Sequence, residues 1–154
     1  GNFAITTVGK INNMEELMSI PTDYLYCFNV GCPREKECMR HFAGEHIDPK
    51  VKQGSAVFPT ALQEGAVCQK FKQKRVIKAA WGFNHLFADV KARHTTLLRN
   101  KLKDYLGGNG TYYRYHHGKR LLTPEEQEWI LNLFRQYGYT EDLHFDGYRD
   151  VWDW

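Results

Sequence analysis

Four cysteines carry the most chemistry in the chain: Cys27, Cys32, Cys38 and Cys68. Their spacing is C-x4-C-x5-C, then 29 residues, then C. Thiolates are soft ligands, and four of them suit tetrahedral zinc or an iron–sulfur cluster. The spacing contains no C-x-x-C pair, the usual mark of a structural zinc site. Cys32-Pro33 echoes the Cys-Pro pair of ferredoxin-type motifs. His41, three residues beyond Cys38, and His46 are alternative ligands.

Other readings of the same thiols stay open. They also suit four separate buried hydrophobes, or disulfides, for which four cysteines allow three pairings. Arg34, Lys36 and Arg40 place positive charge beside them, and Glu35 and Glu37 counter it. No neighbouring residue marks any of them as a nucleophile.

Charge points to a second candidate region. Residues 61–120 hold 13 basic and 3 acidic side chains, while residues 121–154 hold 2 basic and 8 acidic. A basic block attracts anions, nucleic acid first among them. Within it, residues 95–137 read as helix, turn, short helix, turn, long helix. In a helix-turn-helix the second helix enters the major groove. Here that helix is Thr111–His117, offering Tyr112, Tyr113, Arg114 and His117, with Lys101, Lys103, Lys119 and Arg120 flanking it on the phosphates. The competing reading has the tyrosines packing helix on helix, with the acidic tail folded over the basic block.

Enzyme signatures are missing. There is no G-x-G-x-x-G, no P-loop and no H-E-x-x-H. The tail carboxylates Asp146, Asp150 and Asp153 have no evident basic or metal partner in sequence, and no small-molecule substrate suggests itself. No apolar run reaches the ~18 residues of a membrane span. No basic-then-apolar leader opens the chain, so the expected location is cytoplasmic.

The elements that must hold these residues are unevenly legible. Residues 1–11 read as a short edge strand, and Asn12 with Glu15 as a capping box for a helix ending near Pro21. Arg34 to Phe42 reads as a helix with Cys38 and Phe42 on one face, ended by Gly44. Pro59 limits any strand through Ala56-Val57-Phe58. Ala80, Phe83, Phe87 and Val90 recur at helical spacing. A stripe of Leu97, Leu98, Leu102, Tyr105 and Leu106 predicts a helix capped by Thr95 or Thr96 and ended by Gly107-Gly108. Thr123-Pro124-Glu125-Glu126 predicts a clean helix start, with Trp129, Ile130, Leu133, Phe134 and Tyr137 as its buried stripe. Nine Tyr, nine Phe and four Trp argue for a packed core, and the aromatic tail is expected to dock.

Several segments carry a resemblance: Tyr26-Cys27-Phe28-Asn29, Cys32-Pro33 to Cys38, Ala80-Trp81-Gly82-Phe83, Tyr112-Tyr113-Arg114-Tyr115, Leu122 to Gln127, and Phe145–Trp154. Together they resemble an uncharacterised family of small proteins from gut Bacteroides-type bacteria. The resemblance implies a cytosolic bacterial origin and a shared fold, and no activity. Leu98 to Gly138 is also similar to DNA-binding-like segments of the same bacteria.

The expectation is one α+β domain over residues 1–154, predominantly helical. A cysteine-containing lobe (residues 1–78) packs on a helix-turn-helix-like bundle (residues 79–154). The favoured function is a non-enzymatic nucleic-acid-binding regulator with DNA as partner. The alternative is a scaffold or protein-interaction module built on a Cys-ligated metal.

Overall fold

The computed structural model describes residues 19–62 and 68–154. The proposed edge strand at residues 1–11 and the Asn12 cap lie outside them. The fold is mixed α+β and predominantly helical, with the cysteines toward the N-terminus and the long helices toward the C-terminus. The chain forms two compact units. One comprises Gly1–Val76 with Val151–Trp154, the other Ile77–Asp150.

In the first unit, strand β1 (Leu25–Cys27) pairs in parallel with β2 (Ser55–Val57), placing Cys27 opposite Val57. Parallel neighbours need a long crossover. Here the connection carries a 3-10 turn (Glu35–Glu37) and helix α1 (Met39–Glu45). Tyr24 and Tyr26, two apart on one face, bury against Met39 and Ala43, four apart on one helix face. Phe42, Trp152 and Trp154 pack around them, with the Phe42 and Trp152 centroids 4.9 Å apart. Trp152 and Trp154, in the aromatic tail that was expected to dock, thus belong to this unit.

The expected helix from Arg34 to Phe42 is broken at Cys38, whose backbone is extended (φ −96°, ψ 124°). Its neighbours explain the break. Cys38 forms an antiparallel bridge with Gln73. The Met39 N–H donates to Lys72 O, and the Lys74 N–H donates to Glu37 O, both at 2.7 Å. Gly44 does not end the helix; it sits inside it.

Strand β3 (Val76–Trp81) pairs with β4 (Gly147–Trp152), and all but Val76, Val151 and Trp152 of these strands belong to the second unit. Neither strand was read from the sequence, where Ala80 to Val90 looked helical. Ala80 instead exchanges backbone hydrogen bonds with Leu122, at 3.1 and 2.8 Å. Gly82 turns the chain with φ +84°, and only Asn84–Phe87 (α2) is helical. The Asp146 carboxylate accepts from the N–H groups of Asn84 at 3.1 Å and His85 at 2.9 Å, satisfying the free donors at the start of α2.

Three helices complete this unit: α3 (Ala92–Leu106), α4 (Asn109–His116) and α5 (Pro124–Gln136). Helix α3 starts three residues before Thr95, with Lys91 as N-cap, and ends where Gly107 adopts φ +96°. Gly108, not Thr111, precedes the first residue of α4. The start of α5 is the expected one: the Thr123 side chain accepts from Glu126 N–H, and the Glu126 carboxylate accepts from Thr123 N–H. Leu98, Leu102 and Leu106 meet Tyr112, Tyr115, Ile130, Leu133 and Phe134 in the core, with Phe83 and Phe145. Each such side chain stabilises the unit by ~1.5–3 kcal/mol on burial. Trp129, expected in that stripe, is 40 % exposed and stacks on Tyr105 with centroids 3.6 Å apart. No helix among the described residues is long and apolar enough to cross a membrane.

Candidate cysteine-lined metal centre

Cys27, Cys32, Cys38 and Cys68 all line one cavity of the first unit. Each arrives on a separately fixed piece of backbone. Cys27 ends β1 and is held by pairing to β2. The buried Asn29 donates its amide to Val57 O at 3.2 Å and Phe58 O at 3.3 Å, tying down the next loop. Gly31, with φ +83°, makes the turn that brings Cys32 back, a conformation that costs glycine little. Cys38 is set by its bridge to Gln73.

Cys68 is far away in sequence, and Arg40 does much to place its segment. The Arg40 guanidinium donates to Lys70 O at 2.7 Å and to Leu25 O at 3.4 Å, linking that segment to β1. Arg34 stacks over the Phe71 ring at 3.5 Å from its centroid. Asn29 and Phe71 went unremarked as parts of a site in the sequence, and Arg34 and Arg40 figured there only as nearby charge. Their positioning roles depend on partners 15 to 37 positions away, which no local pattern announces.

All four thiols are free; Cys38 is buried and the others are half-buried. Burial pushes the Cys27 thiol up. A hydrogen bond from the Asn29 backbone N–H opposes this, and the charges of Cys38, Cys32 and Cys68 add to the rise. One thiol therefore feels the other three. The cavity encloses about 190 Å³, where about 10–15 Å³ holds one water. Among the described residues, no three His, Cys, Asp or Glu side chains are placed as ligands of a single ion.

His41 lines the same cavity. Its Nε2 lies 3.0 Å from the Glu45 carboxylate and 3.9 Å from that of Glu35. Its Nδ1 is buried and has no hydrogen-bond partner among the described residues. Buried polar atoms are rarely left so, because desolvation without a partner costs ~1–3 kcal/mol. His46, the other alternative ligand, is exposed and hydrogen-bonds Phe42 O through Nδ1 at 2.9 Å.

The residues read as a nucleic-acid site are all in the second unit. Lys101, Arg114, His117, Lys119 and Arg120 are exposed. Lys103 is half-buried, with Nζ 5.6 Å from the Tyr112 centroid and 5.5 Å from that of Tyr113. The tyrosines separate: Tyr112 is 3 % exposed and part of the core, and Tyr113 is 41 % exposed. Tyr112 therefore packs the helices, and Tyr113 is the one that can stack on a ligand.

Fold and cavity together define a small α+β protein with a thiol-lined pocket in one unit and a bundle of helices in the other. The chain belongs to a family of unknown function, DUF6078, whose profile matches residues 11–154. No curated protein and no solved structure matches it.

Proposed function

We propose that the first unit is a non-enzymatic metal-binding module whose four cysteines hold an iron–sulfur cluster. The observation that carries this reading is the convergence of Cys27, Cys32, Cys38 and Cys68 on one cavity. Four residues spread over 42 positions meet at one place. Separate hydrophobic packing gives no reason for all of them to do so.

The choice of cluster over zinc rests on size. A single zinc draws four thiolates to ~2.3 Å from one point. A cluster ligates each thiolate at its own iron, so its thiolates stand further apart around a volume. A cavity of about 190 Å³ lined by all four cysteines suits the second arrangement. The orphaned Nδ1 of His41 fits either group, as a ligand or as a hydrogen-bond donor to sulfur.

Anaerobic purification followed by iron and sulfide analysis tests this. Iron and acid-labile sulfide in equal amounts, with visible absorption lost in Cys32→Ser and Cys68→Ser variants, is the expected result. Stoichiometric zinc without iron would leave a structural metal module. A folded protein that takes up neither metal after reconstitution would remove the reading.

A second reading places nucleic acid on the second unit. Helices α3 and α4 meet at the Gly107-Gly108 turn with α5 following, a helix-turn-helix-like order, and five of the six basic or histidine candidates there are exposed. Binding of duplex DNA that weakens steeply with salt, and less steeply after Lys119→Ala with Arg120→Ala, is its signature. Salt-independent binding or none would end it.

A further inference from the structure

The second unit also contains a cleft that no basic-patch reading uses. It encloses about 240 Å³ between α2, α3 and α4. Phe83, Phe87, Tyr112 and Tyr113 supply its aromatic walls, and Arg99, Asn84 and His116 its polar groups. No carboxylate among the described residues lines it.

The geometry is ordered. The rings of Phe83 and Tyr112 stack with centroids 5.0 Å apart, and His116 lies nearly parallel to both, with interplanar angles of 14° and 5°. Tyr113 stands edge-on to Tyr112, at 87°, and is exposed at the rim. The Phe83 N–H donates to His116 Nδ1 at 3.2 Å, which places the ring proton on Nε2. That nitrogen remains free to donate. Arg99 lies over the Phe87 ring at 5.4 Å, and its charge opposes the rise that burial imposes on the Tyr112 hydroxyl. No carboxylate among the described residues forms a salt bridge with it. A half-buried arginine held by aromatic rings and left without an anion is a binding group in waiting.

We infer that this cleft binds a nucleoside monophosphate unit, with its base stacked on the exposed face of Tyr113 and its phosphate on Arg99. The base requires an aromatic face, which any nucleobase can use. The phosphate requires a guanidinium, and Asn84 and His116 add hydrogen bonds that a bare anion would not need. The inference does not rest on the cysteine site. It shares only Tyr112 and Tyr113 with the residues of the nucleic-acid reading. The same chemistry is offered by a free nucleotide or by one residue of a single strand.

Calorimetric titration of the full chain with AMP, adenosine, inorganic phosphate and a short oligoadenylate tests it and separates the sources. AMP binding at least about tenfold tighter than either adenosine or phosphate is expected, because stacking and charge act together. Oligoadenylate binding without AMP binding assigns the cleft to single strands; AMP binding at least as tight assigns it to free nucleotide. Arg99→Gln should abolish the preference for AMP over adenosine. Arg99 also acts on the Tyr112 hydroxyl through its charge, so Tyr113→Ala, at an exposed position, provides the second variant and should weaken binding about tenfold. Binding of neither AMP nor oligoadenylate at millimolar concentration overturns the inference. So does binding unchanged by Tyr113→Ala, or inorganic phosphate binding as tightly as AMP. Because duplex DNA is not among the probes, failure here leaves the salt-dependent duplex test standing.

Discussion

Gly44 lies against the backbone carbonyl of Cys27 with no room for a side chain between them. A methyl group on Gly44 would overlap the carbonyl oxygen and come within 3.1 Å of its carbon and 3.2 Å of the Phe28 ring. Helix α1 therefore approaches β1 at a glycine, and that approach sets where Cys27 stands. Gly44→Ala has ordinary helical backbone, so its cost comes from overlap alone. Overpacking of this kind typically destabilises by ~1–3 kcal/mol. Urea denaturation should show a lower midpoint, and metal uptake should fall with it. An alanine variant as stable as the parent would mean that the strand yields without cost.

The thiols should differ in reactivity. Burial, the first cause, pushes Cys27 up, so less of it is thiolate at a given pH. The thiolate is the nucleophile. In metal-free protein, Cys27 should be alkylated by iodoacetamide more slowly at neutral pH than a free cysteine in solution. Its rate should keep rising into the alkaline range beyond the solution thiol. Mass spectrometry of peptides over a pH series reads this directly. A Cys27 rate profile matching free cysteine would contradict the burial argument.

His116 couples the stability of the second unit to pH. Burial is the main cause that lowers it, the charges of His117 and Arg99 act the same way, and Asp146 opposes them. The unfolded chain protonates this residue near its ordinary value of about 6.5, while the folded protein resists until lower pH. Stability from this group is then complete above the unfolded value and declines as pH falls through the window down to the folded value. His116→Asn keeps an acceptor for the Phe83 N–H and cannot titrate. Its urea midpoint should fall less between pH 7.5 and pH 5 than that of the parent. Parallel declines would show that other groups carry the acid sensitivity.

The Thr123 cap is a separate, local test. Thr123→Ala removes the acceptor for Glu126 N–H and leaves a helix start without one half of its reciprocal pair. The expected loss is ~1 kcal/mol, within the ~0.5–2 range for such caps. Thr123→Ser should restore most of it. A serine variant as weak as alanine would assign the effect to lost packing of the threonine methyl instead.

Local chemistry was legible from the sequence, and distant pairing was not. Thr123-Pro124-Glu125-Glu126 writes its cap in adjacent letters, and helix α5 starts where they say. The stretch from Ala79 to Val90 fits a helical period through Ala80, Phe83 and Phe87, yet the backbone of Ala80 is claimed by Leu122, 42 positions on. The strand alternates in burial only from Val76 to Ala79 and breaks at the buried Ala80, too short a run to outweigh the helical period. The same holds for Cys38, which local propensity puts in a helix and Gln73 draws into an extended bridge. The shared cavity of the four cysteines depends on that bridge and on Arg40, so spacing alone left the thiols undecided between one site and four. Trp129 shows the opposite case: the periodicity places it correctly on the helix, and Tyr105 covers it at the surface instead of the core.

Trp152 and Trp154 have a consequence for the order in which the protein is made. Domains generally fold as units during synthesis, the N-terminal one first. Here the unit that contains the N-terminal segment also takes in Val151–Trp154, and the ring of Trp154 meets Tyr24 at 5.5 Å. Residues Ile77–Asp150 leave the ribosome before Val151–Trp154 do. The helical unit can therefore fold while the cysteine-bearing unit still lacks part of its aromatic core. A nascent chain held just short of Val151 would expose its thiols on an unfinished fold, and loading of any metal becomes a step that waits for Val151–Trp154 to emerge.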